Sequence, residues 1–221
     1  MFSTDFEAGI PGEFGGAGAI EDSVNASDGN LGLSNDGFGT QFLRNATGST
    51  VASAPNNMPT ASTTLTLTGL DPHVALNIEF DVVFIDSWDG GTPEPPSGDL
   101  FRVIVDGNIE FSESFASSGV SGSQSFMAEP GEIIFELEEQ FTGGLNFLDS
   151  AYRLSLIVPH TASDVVIEWT GAGGGTQGGS NESFGLDNIS VSTVIPEPSS
   201  VLLLAAGAGL LLKPRRHRRS V

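Results

Sequence analysis

The stretch Val74-Ala75-Leu76-Asn77-Ile78-Glu79-Phe80-Asp81-Val82-Val83-Phe84-Ile85 decides the fold. Val74, Leu76, Ile78, Phe80, Val82 and Phe84 alternate along it, while Ala75, Asn77, Glu79 and Asp81 take the positions between. Successive side chains of a strand point to opposite faces, so this period of two places one row on a core and the other toward solvent. At Val83 and Ile85 the second row turns apolar as well. The sequence therefore predicts a long strand, half-buried at its start and buried on both faces at its end.

Outward from this strand the same signal repeats. Leu65 and Leu67 alternate with Thr64, Thr66 and Thr68 before the turn Asp71-Pro72-His73. On the other side, residues 86–98 (DSWDGGTPEPPSG) read as a loop. Phe101, Val103 and Val105 alternate next, and Asp106-Gly107 is a hairpin signal ahead of Ile109 and Phe111. Further strands are predicted at 38–44, 132–138, 151–158, 165–170 and 184–194. Residues 1–62 are rich in Gly, Asn and Ser, with Phe2, Phe6 and Phe14 as spaced anchors. Residues 171–180 (GAGGGTQGGS) read as a flexible loop and not a phosphate cradle, since no Lys-Ser/Thr and no helix pattern follow. Many strands with long connections imply two packed sheets, an all-β, jelly-roll-like β-sandwich over 1–195.

The net charge of −20 hides a split. The segment 196–221 holds five of the eight Lys and Arg and a single acid, Glu197, which leaves about −24 on residues 1–195. Such a domain does not seek nucleic acid or an anionic membrane, and it attracts cations. There is no cysteine, so the fold is no disulfide scaffold, and at this size it needs none.

The segment 196–221 has three parts in order. Pro196-Glu197-Pro198 is extended by its prolines. The uncharged run VLLLAAGAGLLL follows, with Val201, Leu202, Leu203, Leu204, Leu210, Leu211 and Leu212 as its large members. It has no polar face, as a membrane helix has none. Lys213, Arg215, Arg216, Arg218 and Arg219 then form the kind of cluster that stays cytoplasmic. Together the three parts resemble the PEP-CTERM sorting tail of Gram-negative bacteria. The resemblance covers about an eighth of the chain. It implies export across the inner membrane, a single C-terminal transmembrane sorting helix, and processing near the PEP triplet by an exosortase-type membrane protease. Twelve residues rise only about 18 Å as a helix against a hydrocarbon core of about 30 Å, so Ser199, Ser200 and a snorkelling Lys213 must lengthen the span. Met1-Phe2-Ser3-Thr4-Asp5 has neither basic nor apolar leader character, and the expectation is that the true start lies upstream.

A second resemblance rests on Asp86-Ser87-Trp88-Asp89-Gly90, Phe101-x-Val103-x-Val105-Asp106-Gly107 and Glu182-Ser183-Phe184-Gly185-Leu186-Asp187-Asn188-Ile189. These are similar to an extracellular β-sandwich module of bacteria and protists. The closing D-N-[IV] strand recurs across jelly-roll carbohydrate-binding and adhesion modules. Such modules often join first strand to last with calcium, and the matching groups here are Glu7 and Asp187. Calcium takes six to eight oxygens and tolerates irregular loops, so Asp86, Asp89 and Asp99 around one loop are a second candidate.

The search for catalytic chemistry is mostly negative. His73 and His160 lie in different turns beside prolines and read as surface turn residues, and no G-x-S-x-G elbow supplies a nucleophile. With so many acids, a glycosidase-like pair carries no signal. Glu136, Glu138 and Glu139 read as the solvent face and end of a strand. Trp169 is in register with Val165 and Ile167 and reads as core, whereas Trp88 reads equally as core or as a sugar-stacking platform. The expectation is a non-enzymatic exported protein. It would pass through the inner membrane during sorting and end at the cell surface or in the extracellular matrix. There it would bind or build extracellular polysaccharide. A matrix hydrolase and a purely structural surface protein are the alternatives.

Overall fold

The computed structural model describes residues 1–23, 37–46, 61–91, 98–117, 124–138, 148–173 and 182–195. Twelve strands and no helix are found among them. In chain order they are β1 (Phe2–Thr4), β2 (Phe14–Gly16), β3 (Ala19–Asp22), β4 (Gln41–Asn45), β5 (Thr63–Leu67) and β6 (Ala75–Asp86). They continue as β7 (Leu100–Val105), β8 (Asn108–Ser114), β9 (Ile133–Glu138), β10 (Asp149–Pro159), β11 (Val165–Ala172) and β12 (Glu182–Val194).

The strands form two antiparallel sheets. The larger runs β3-β4-β12-β6-β10-β9, with β1 also on β12, and the smaller runs β2-β5-β11-β7-β8. The chain crosses between sheets at β1–β2, β2–β3, β4–β5, β5–β6, β6–β7, β8–β9, β10–β11 and β11–β12. β6 is central in its sheet and pairs along its length with β10 and β12. Leu76, Ile78, Phe80, Val82 and Phe84 fill the space between the sheets together with Trp169, Phe101, Tyr152 and Phe184. Val83 and Ile85 join Phe38, Phe42, Phe135 and Ala151 in a second cluster. The end of β6 is thus buried on both faces, as its pattern predicts. Val74, assigned to the core row, is 45% exposed because it precedes the strand.

Asp106 (φ 49) and Gly107 (φ 81) make the expected hairpin turn between β7 and β8. Both residues have positive φ, the twist that two-residue hairpin turns need. β1, β2 and β3 appear where only turns and anchors were read. Three or four residues are too few to show a period of two. Phe6 is fully buried, and Phe2 and Phe14 pack against the same core. Of the strand-face acids, Glu136 is exposed and accepts the Tyr152 hydroxyl, while Glu139 lies outside the described residues. The sorting triplet, the apolar run and the basic cluster, 196–221, also lie outside them. Among the described residues no helix is long and apolar enough to cross a membrane.

Candidate functional site

The first and last strands meet at an acidic junction. β1 lies antiparallel on β12, with Thr4 opposite Ile189. Phe6, at φ 56, reverses the chain and is fully buried, which aims Glu7 away from the core. The Glu7 carboxylate accepts the backbone N–H and hydroxyl of Thr40 and the N–H of Gln41 at 3.1 Å. A side chain on Gly39 would put its Cβ 2.0 Å from Glu7 Oε1, so only glycine permits the grip. The Thr40 hydrogen bonds, side chain first, hold this carboxyl below the usual range.

Across from it, β12 carries a bulge. Asp187 pairs with Asp81 and Ser190 with Glu79, which sets Asn188, at φ 49, and Ile189 against the single residue Phe80. An extra residue of this kind re-aims side chains locally. Asn188 Nδ2 donates to the Gly37 carbonyl and to Asp81 Oδ2, both at 2.9 Å. Arg153 forks onto both Asp81 oxygens at 2.8 Å. Asp81, expected on the solvent face, is 1% exposed because this network covers it. Asp187 is equally buried and accepts the Asn188 N–H at 2.7 Å. Burial, then the charges of Asp81, Asp5 and Glu7, push its carboxyl up to about 8 against that hydrogen bond. Among the described residues, four acids therefore share one junction that is served by one guanidinium. A groove of about 310 Å³ beside it is lined by Ser3, Thr4, Asp5, Asn188, Ile189 and Ser190.

The loop candidate is built differently. The Asp86 N–H donates to Asp149 Oδ1 at 3.0 Å, and its carbonyl accepts Trp88 N–H and the Ser117 hydroxyl. Asp89 is exposed and bridges to Ala116, and its N–H donates to Asp99 Oδ2 at 2.6 Å. Asp99 is 1% exposed, and burial pushes its carboxyl up to about 6. Its second oxygen has no hydrogen-bond partner among the described residues. Asp99 thus pins the loop base. Among the described residues, no three His, Cys, Asp or Glu side chains are grouped to hold a metal as they stand, at either candidate.

Two residue assignments are corrected. Trp88 cannot be a sugar platform, because it is 1% exposed. Its Nε1 donates to the Ser183 carbonyl at 2.9 Å, and its ring meets Phe84 edge-on at 4.8 Å. Flanking aspartates suggested solvent, but the backbone turns the indole inward between β6 and β12. His73 and His160 are not separate surface residues either. They meet, with His73 Nε2 2.7 Å from His160 Nδ1, and His73 is 6% exposed. Two further acids are buried, Asp149, which the sequence left unmarked, and Glu182, quoted there only within the closing motif, which lies opposite Asp86 in the sheet. Only strand register reveals them.

Compared with protein-family models and with curated proteins, the chain finds no match. Among solved structures it is similar to the K1 cleaved adhesin domain of Lys-gingipain from Porphyromonas gingivalis W83. That match has 10% identity, covers 87% of this chain and 97% of that one, and has a TM-score of 0.44. It is also similar to a family 35 carbohydrate-binding module from an environmental isolate, at 14% identity, 89% and 99% coverage, and a TM-score of 0.37. A sugar-binding C-terminal domain, EclA, matches at 11% identity, 67% and 70% coverage, and a TM-score of 0.28. Likeness at these TM-scores carries no argument about ligand or role.

Proposed function

We propose that this chain is an exported, non-enzymatic β-sandwich of the cell surface or extracellular matrix, sorted through its C-terminal tail, that binds or builds extracellular polysaccharide. The observation that carries it is the ordered tail: Pro196-Glu197-Pro198, then the uncharged run, then Lys213, Arg215, Arg216, Arg218 and Arg219. The fold supports this reading. β12 ends at Val194, whose carbonyl accepts the Val74 N–H, so the sheet is closed before the triplet. Cutting at the triplet then removes no residue of the described strands.

Calcium at the acidic junction is part of the same proposal. Glu7 and Asp187 would hold it, with Asp5 and Asp81 beside them. The fit rests on the Asp187 carboxyl, which burial and then the neighbouring acids raise and which a divalent cation would relieve. The proposed partners are the exosortase-type protease, the inner membrane in transit, and polysaccharide.

The test is intact-mass analysis in a host that has the matching protease. The mature protein should end near the triplet and lack about 2 kDa. Replacing Pro196, Glu197 and Pro198 with alanine should retain the full-length form in the inner membrane. Full-length chain in the medium would refute the sorting reading. A glycan array probed with the same protein tests the binding reading separately.

A further inference from the structure

At the opposite end of the sandwich from the β6–β7 loop, three turns are tied by side chains. His73 precedes β6, His160 follows β10, and Asp106 begins the β7–β8 turn. The His73 Nδ1 lies 2.6 Å from the Asp71 carbonyl, and its Nε2 lies 2.7 Å from His160 Nδ1. His160 Nε2 lies 3.1 Å from Asp106 Oδ2. The two rings are within 14° of coplanar with centroids 5.0 Å apart. Centroids that far apart with nitrogens that close mean that the rings meet edge to edge. This is the geometry of a shared proton, not of two rings turned toward one ion.

Counting hydrogens decides the charge. A carbonyl and a carboxylate only accept, so His73 Nδ1 and His160 Nε2 must each carry a hydrogen. A third lies between the facing nitrogens. Two neutral imidazoles hold only two. We propose that His73 and His160 form a proton-sharing pair bearing one positive charge against Asp106, and that this clasp closes the base of the sandwich in that state alone. With one proton fewer, a contact is left between two acceptors. With one more, two N–H groups face each other.

The clasp reaches far. The His160 N–H donates to the Val74 carbonyl at 3.2 Å, and the Val74 N–H donates to Val194 at the end of β12. Asp106 Oδ1 accepts the Val166 N–H at 2.9 Å, which brings in β11. The charged side chains in the turns that meet here are acids: Asp71 on the β5–β6 turn, Asp106 on the hairpin, and Asp164 before β11, which accepts the Gly69 N–H, while Met1 and Glu13 share a groove with Asp71. Folding then takes up a proton where both histidines of the unfolded chain are neutral, and excludes one where both are charged. By linkage, the clasp's contribution falls as pH rises on the first side and rises with pH on the second. It passes through a maximum.

The test compares the full chain with Asp106→Asn. Asparagine keeps an oxygen for the Val166 N–H, tolerates φ near 49, and offers its amide hydrogen to His160 Nε2. The neutral pair then satisfies every contact. Nitrogen-15 NMR of the ring nitrogens, at the pH where the wild type melts highest, should count three hydrogen-bearing nitrogens on the pair in the wild type and two in Asp106→Asn. The wild-type Tm should fall on both sides of its maximum, and the variant should lose the fall on the alkaline side. Two or four hydrogen-bearing nitrogens in the wild type, or superimposable Tm–pH profiles, overturn the proposal. If the variant does not fold, the wild-type count alone decides.

Discussion

Asp187 has the pH signature opposite to that of an ion-paired carboxylate. Its folded carboxyl is raised to about 8. The native state therefore keeps a proton that the unfolded chain has released, over the window from about 4 up to about 8. Stability falls as pH rises through that window when no cation is present. Asp187→Asn should remove this slope and gain a few kcal/mol, at most about 4, at pH 7 in EGTA. The same substitution should lose the gain from calcium, and a variant that melts like the wild type in both buffers would refute the role. Trp88 makes a second residue-scale prediction. Fully packed against Phe84 and bonded to Ser183, it should cost about 3–5 kcal/mol on change to alanine. Denaturant unfolding reads this directly, and a loss under about 1 kcal/mol would return it to the surface.

At the scale of elements, β12 depends on a missing side chain. Gly185 lies between β4 and β6, and a Cβ there would sit 2.5 Å from the Phe42 ring and 2.8 Å from Val83. Gly185→Ala must push Phe42 aside and should cost about 1–3 kcal/mol. Gly107 is different. No described residue lies within 4 Å of its absent Cβ, so Gly107→Ala should cost only the strain of positive φ, about 1–2 kcal/mol. Thermal melts of the two variants separate overpacking from backbone strain, because Phe42→Ala should relieve the clash in the first and leave the second unchanged.

Across the whole molecule, the junction links chain positions near the two ends of the sandwich. Calcium bound there would hold β1 and the loop before β4 onto β12. An ion that binds only the folded state at 100 times its dissociation constant adds about 2.7 kcal/mol. The full chain should then melt several degrees lower in EGTA than in excess calcium, at low ionic strength and fixed pH. Equal curves would mean that the charge of the domain is only solvated.

The sequence by itself determined the strands that are long enough to show a period of two. β5, β6, β7, β10, β11 and β12 follow alternating rows, the β7–β8 hairpin follows Asp106-Gly107, and the core place of Trp169 follows its register. These are local consequences of side chains alternating across a pleat. Only the tertiary structure decided what meets what. His73 and His160 are 87 positions apart, and nothing local says that their turns share one end of the sandwich. Asp81 occupies a solvent-row position yet is buried, because Arg153 and Asn188 reach it from neighbouring strands. Trp88 sits between acids yet points inward, because β6 ends where β12 supplies a carbonyl for its indole. Pairing register sets these contacts, and register belongs to the whole sheet rather than to any one stretch.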